Sequence, residues 1–210
     1  MKRLGALYSE GSNRRRQYEN NNYTWSKPQR LNLSHCPYAG RKINGEMTDA
    51  LDEADVIILA SPVYVYHATG AMKAFLDHYG YRWMVHCPEE SMFKKQGVCI
   101  STAAGAGTKS TNKDMEDSLF FWGVAKRYKY GVSVAAVNWK GVSDKKKSTI
   151  DKATSKMAKK IVNNYGHVKP GIKTRGFFWL MHLVQRKGFN PCDVEYWKAK
   201  GWTGKKRPWK

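Results

Sequence analysis

A chain of 210 residues with 37 Lys and Arg against 17 Asp and Glu carries a formal net charge of +20. That length suits one domain with an appendage better than two full domains, and it is enough to bury a core. With 41% hydrophobic residues and two long apolar stretches, disorder throughout is excluded, while the positive excess points to an anionic partner: nucleic acid, a lipid surface or a phosphorylated small molecule.

The charge is unevenly placed. Residues 46–80 hold none of the positive excess, much of which lies in Arg14-Arg15-Arg16, Lys145-Lys146-Lys147 and the last fifteen residues. Solvated faces and a soluble tail are the plainest account of such runs. The cysteines, Cys36, Cys87, Cys99 and Cys192, include no Cys-x-x-Cys pair, which argues against a zinc ribbon, an iron–sulfur ligand set or a thioredoxin-type centre. His78, His86 and Cys87 lie close in sequence but lack metal-ligand spacing, so no metal is expected. Met1-Lys2-Arg3 is not followed by an apolar segment of the secretory kind, and no run is long enough to span a bilayer, so a cytoplasmic location with reduced thiols is expected.

In chain order, residues 3–8 read as a short strand, residues 9–30 as polar loop, and Leu31 and Leu33 as a possible edge strand. Met47, Ala50, Leu51 and Ala54 recur at helical spacing, with Glu46 and Asp49 where the helix dipole favours acids. Val56-Ile57-Ile58-Leu59-Ala60 reads as a strand covered on both faces and ended by Pro62. Ala71, Met72, Phe75, Leu76 and Tyr79 mark a helix starting near Thr69, with Lys73 and Asp77 as a solvated i,i+4 pair. Gly97-Val98-Cys99-Ile100 predicts a strand. Thr111-Asn112-Lys113-Asp114 resembles a capping box opening a helix that buries Met115, Leu119 and Trp122. Val132–Val137 predicts the last strand, and Ile150, Ala153, Met157, Ile161 and Tyr165 stripe a long basic helix stopping at Gly166. Strands alternating with helices imply an α/β fold with a doubly wound parallel sheet.

Two loops sit where open α/β sheets bind ligands, at the carboxyl ends of strands. These are Ser61-Pro62-Val63-Tyr64-Val65-Tyr66-His67 and Ser101-Thr102-Ala103-Ala104-Gly105-Ala106-Gly107-Thr108. Pro62 stiffens the first loop, and Tyr64 and Tyr66 can stack on an aromatic plane. The small residues of the second let backbone N–H groups approach a ring edge and stabilise negative charge there. Ordinary βα turns would also contain Pro and Gly, but both loops in successive units favour a ligand. No nucleophile elbow is present, and Gly105-Ala106-Gly107 lacks the third glycine of a dinucleotide fingerprint.

Ser61-Pro62-Val63-Tyr64 followed by Ala71-Met72-Lys73-Ala74-Phe75-Leu76-Asp77 resembles the signature of the NADPH-dependent FMN reductases of the flavodoxin-like superfamily. The resemblance runs from about Glu46 to Ala136. It implies a flavodoxin-like fold with helices on both faces of the sheet, bound FMN, and NADPH or NADH as electron donor. It further implies a small-molecule acceptor such as a quinone or flavin, and a homodimer. The implied contacts to FMN are Pro62, Val63, Tyr64, Tyr66, Thr102, Ala103, Ala104 and Gly105. Gly11-Ser12-Asn13-Arg14 corresponds to the family's phosphate loop, which implicates Ser12 and Arg14, although no amphipathic helix follows it. No side-chain acid or base is nominated. The expected organisation is a flavodoxin-like domain over 1–166, with its first βα unit shortened, and a basic, aromatic extension over 167–210.

The shortened first unit leaves open an electron carrier or degenerate flavin-binding protein without its own turnover. Nucleic-acid binding through Arg14–Arg16, Lys145–Lys147 and the Lys-Trp tail has no recognisable reading motif and is the weakest of the three readings. In the extension, residues 177–184 are almost wholly apolar and too short to span a bilayer. Packing on the domain or a partner subunit is expected, with a membrane-interface segment as the competing reading.

Overall fold

A computed structural model of the chain describes residues 45–136 and 138–210. The predicted strand at 3–8, the edge strand at Leu31 and Leu33, Cys36, Ser12, Arg14 and the other N-terminal arginines lie outside the described residues.

The elements are α1 (Gly45–Glu53), β1 (Val56–Tyr64), β2 (His67–Ala68), α2 (Gly70–His78), β3 (Gln96–Ala103), α3 (Thr108–Phe121), β4 (Lys126–Ser133), α4 (Asp144–Asn163), α5 (Ile172–Arg186) and α6 (Pro191–Ala199). The described sheet runs in the order β2-β1-β3-β4. β1, β3 and β4 are parallel, in registers that put Leu59 beside Cys99 and Val98 beside Tyr128, and β2 turns back antiparallel on the end of β1. This is a flavodoxin-like α/β arrangement.

Side-chain alternation along the strands separates two faces. Ile57, Leu59 and Cys99 enter a core with Leu51 of α1, Leu76 of α2, and Met115 and Leu119 of α3. On the opposite parity, the Gln96 side-chain amide donates to the Ile161 carbonyl of α4 at 2.9 Å, and the Tyr128 hydroxyl lies 2.8 Å from Gln96 Oε1. Helices therefore meet both faces. Burial pushes the Cys99 thiol up to about 12, so it behaves as an apolar core group. Lys95, just before β3, sends its ammonium to the carbonyls of Leu51, Asp52 and Ala54 at 2.6–2.8 Å and so caps the C-terminal end of α1.

Three predicted elements are corrected. The last parallel strand is not Val132–Val137 but Lys126–Ser133. It borders the described sheet and is nowhere fully buried, so it reads as alternating charge and tyrosine rather than as an apolar run. α3 starts at Thr108 rather than at a Thr111 cap; Gly107 is its N-cap, and Thr111 is buried inside its first turns. Beyond Pro191 the chain is not a loose tail: Asn190 caps α6 through its side chain, with Pro191 at the first helical position.

The extension packs on the rest of the chain, as its apolarity predicts. Phe178 and Met181 of α5, Trp197 of α6 and Trp202 share one buried cluster with Met84, Phe93 and Phe120. Phe178 stacks on Trp197 with centroids 4.8 Å apart and meets Phe93 edge-on at 5.4 Å. The buried Asp193 carboxylate lies 3.0 Å from His86 Nδ1, and the Trp197 indole donates to the His86 carbonyl at 2.8 Å, so α6 is tied to the segment after α2.

Candidate functional site

The first expected loop is largely not a loop. β1 keeps its parallel register with β3 through Pro62, runs on to Tyr64, turns at Val65 and Tyr66, and returns as His67–Ala68. Both turn residues have positive φ, 48° at Val65 and 65° at Tyr66. Two-residue hairpins favour that geometry, but its usual residues are Asn and Gly. For β-branched Val65 it is strained, and such strain persists only where the surroundings impose it.

The surroundings that impose it come from α3 and the second loop. One oxygen of the Asp114 carboxylate accepts from the Ala68 amide at 3.1 Å and lies 3.0 Å from His67 Nδ1. The Ser110 hydroxyl donates to the Tyr66 carbonyl. The buried Ser61 hydroxyl accepts from the Thr69 amide at 3.1 Å, and Thr69 in turn caps α2 by accepting from the Met72 amide.

Gly107 lets the two loops touch. Its φ is +96°, and a Cβ there would sit 2.5 Å from Val63 Cγ1 and 3.0 Å from Tyr66 Cα. On the far side of the second loop, the Ser133 hydroxyl at the end of β4 donates to the Gly105 carbonyl at 2.6 Å. The Ala103 carbonyl accepts from the Val134 amide at 2.8 Å.

The structure thus brings Pro62, Val63, Tyr64, Tyr66, Thr102, Ala103, Ala104 and Gly105 to one rim, at the carboxyl ends of β1 and β3. Tyr64 and Tyr66 are each 65% exposed, far more than large aromatics normally are in a packed fold. Thr102, Ala104 and Gly105 are exposed, Val63 is half-buried against Gly107, and Ala103 is buried. A Cβ on Gly105 would meet nothing within 4 Å, so the space over that backbone is open. An aromatic rim beside accessible backbone with no bulky side chains fits the planar, hydrogen-bonding half of a flavin. Ser12 and Arg14, expected at the phosphate, lie outside the described residues.

Sequence reasoning missed Ser110, Asp114 and Ser133, which hold the rim from α3 and β4. Helical spacing does put Ser110 and Asp114 four apart on one face of α3, but nothing in it says that this face meets the hairpin. Among the described residues no group of three or more His, Cys, Asp or Glu side chains is placed to hold a metal. A cleft of about 610 Å³, lined by Asp55, Gln96, Tyr165 and Lys169 among others, lies at the opposite, amino-terminal end of the parallel strands.

Residues 26–137, a little over half of the chain, match the family described as NADPH-dependent FMN reductase. An iron–sulfur flavoprotein from Archaeoglobus fulgidus is 29% identical over 162 residues, covering 74% of this chain and 69% of that protein. Among solved structures, an NADH:FMN oxidoreductase in its apo form is similar at 22% identity and a TM-score of 0.47, over 65% of this chain and 68% of that one. General stress protein 14 from Treponema denticola, in complex with FMN, is similar at 8% identity and a TM-score of 0.42, over 60% and 75% of the two chains.

Proposed function

Since the chain belongs to the NADPH-dependent FMN reductase family and is in general terms an FMN-dependent oxidoreductase, we propose that it takes electrons from NADPH or NADH and delivers them, through FMN held at the hairpin rim, to a small acceptor such as a quinone or a free flavin. The observation that carries this reading is the convergence of exposed Tyr64 and Tyr66 with the open backbone at Ala104 and Gly105.

FMN, when bound, supplies the two-electron chemistry, because its ring accepts hydride from a nicotinamide and passes electrons on. The protein's part is position and electrostatics. Tyr64 and Tyr66 offer faces for stacking. Backbone amides at Ala103–Gly105 offer donors for an electron-rich ring edge, in the manner of an oxyanion hole. Ser133 fixes the Gly105 carbonyl, and Asp114 and Ser110 fix the hairpin, so these donors and faces are set before a ligand arrives. Ser12 and Arg14 would bind the phosphate, Arg14 through its forked guanidinium.

The test is purification, reconstitution with FMN, and measurement of the flavin absorbance bands together with steady-state NADH and NADPH consumption using a quinone acceptor. Stoichiometric flavin with turnover is expected. Tight FMN binding without nicotinamide consumption would make the chain an electron carrier, and no flavin binding at all would defeat the proposal.

A further inference from the structure

α5 is two-faced in an unusual way. At about 100° per residue, Thr174, Phe178, Met181, His182 and Gln185 fall on one arc, and all five are buried against the rest of the chain. The opposite arc is also apolar, yet it faces out. Ile172 is 90% exposed, Trp179 56% and Leu180 48%, and Phe189, just beyond the helix, is 72% exposed. Leu183, half-buried, completes the strip.

The charged residues beside the strip are all cations. Arg175 and Arg186 border it on the Trp179 side, and Lys173 and Lys187 on the Leu180 side. Arg175 lies 5.8 Å from the Trp209 ring, which brings the basic C-terminal end alongside. Between Asp151 and Asp193 the chain has no acidic residue at all.

We propose that the outer face of α5 docks on the surface of an anionic lipid bilayer, with Ile172, Trp179 and Leu180 entering the headgroup boundary and the flanking Lys and Arg side chains meeting lipid phosphates. An apolar strip with cationic flanks and tryptophan is the pattern of an interfacial helix. A second copy of the chain is disfavoured by charge, because pairing this face with itself would bring together surfaces of one sign on a molecule of net charge +20. A nucleic acid would satisfy the cations but would leave Ile172 and Leu180 with nothing to gain. Docking, not insertion, is meant: among the described residues no helix is long and apolar enough to cross a membrane.

The full chain is sedimented with vesicles of phosphatidylglycerol and phosphatidylcholine in equal parts, and with phosphatidylcholine alone. The expected result is binding to the anionic vesicles only, falling as salt rises, with a blue shift of tryptophan emission. The exposed pair Arg186→Glu with Lys187→Glu should weaken binding by about tenfold or more. Trp179→Glu with Leu180→Glu should abolish it, with thermal unfolding unchanged in both variants. Either of two results overturns the proposal: no binding to anionic vesicles at low salt, with Trp179→Glu and Leu180→Glu instead breaking a wild-type dimer or abolishing oligonucleotide binding or doing neither; or binding that survives both α5 variants, whether or not Lys145→Glu with Lys146→Glu in α4 removes it.

Discussion

His67 Nδ1 lies 3.0 Å from Asp114 Oδ2, the same oxygen that accepts the Ala68 amide. One carboxylate on α3 thereby holds both residues of β2. Replacing Asp114 with Ala takes the one shared partner away from both His67 and the Ala68 amide and leaves a strained hairpin without its clamp. A loss of about 1–1.5 kcal/mol follows for such bonds, which corresponds to FMN binding weakened by about tenfold. Asp114→Asn keeps an acceptor for Ala68 and should recover much of the affinity. Titration of FMN fluorescence quenching measures this, and an Asp114→Ala protein with wild-type affinity would show that the hairpin does not support the site.

The hairpin turn invites a second comparison. Val65 at φ 48° should gain from a residue that tolerates the left-handed region. Val65→Asn is expected to raise the unfolding free energy by about 0.5–1 kcal/mol and leave FMN binding intact. Tyr66→Asn relieves similar backbone strain but removes a stacking face, so stability should rise while FMN affinity drops. Urea melts read alongside flavin titrations separate the two effects. Equal losses of affinity in both variants would mean that the turn's shape, not the Tyr66 ring, is what binds.

Gly107 and Gly105 sit two residues apart and should respond in opposite ways. A Cβ at Gly107 collides with Val63 and Tyr66 at a φ that L residues avoid, so Gly107→Ala should cost about 1–3 kcal/mol and push the loops apart. At Gly105 the space is open, so Gly105→Ala should leave stability within about 0.5 kcal/mol of wild type. Its methyl would nevertheless stand where a ring edge approaches the backbone, so FMN affinity should fall. If both variants bind FMN normally, the second loop is not part of the site.

The parts of this fold that could be read from sequence are those where burial writes a strong pattern. Val56–Ala60 is apolar because both faces of β1 are covered, and Leu76 with Tyr79 marks the inner side of α2. The sequence places β4 too late because Lys126–Tyr130 face partly outward, and the more apolar Val132–Val137 attracts the assignment. The two loops were legible as segments at the carboxyl ends of β1 and β3, but the hairpin was not, since Val65-Tyr66 carries no turn signal and its geometry is imposed by Asp114, far away in sequence. α5 showed its apolarity but not its two faces, because nothing in Phe177–Val184 says which of its apolar side chains the rest of the chain covers and which it leaves exposed.

The joint between α3 and β4, which places Ser133 under Gly105, should be sensitive to acid. Glu116 of α3 lies 2.8 Å from Lys129 Nζ and 3.6 Å from Arg127 Nε of β4. Partial burial alone would raise its pKa, but the hydrogen bond and charge of Lys129, with Arg127 beside it, outweigh that and hold the carboxyl below its ordinary value of 4.5. A carboxyl whose folded pKa is depressed binds fewer protons folded than unfolded. Its contribution is therefore fully present above the ordinary value and is lost as pH falls through the folded one. Glu116→Gln should be less stable than wild type near neutral pH, by a margin that stays constant down to about pH 5, narrows below the ordinary carboxyl value and closes in stronger acid. Urea midpoints of the two proteins across that range provide the measurement. A deficit that stays the same at every pH would mean that Glu116 acts through packing rather than through its charge.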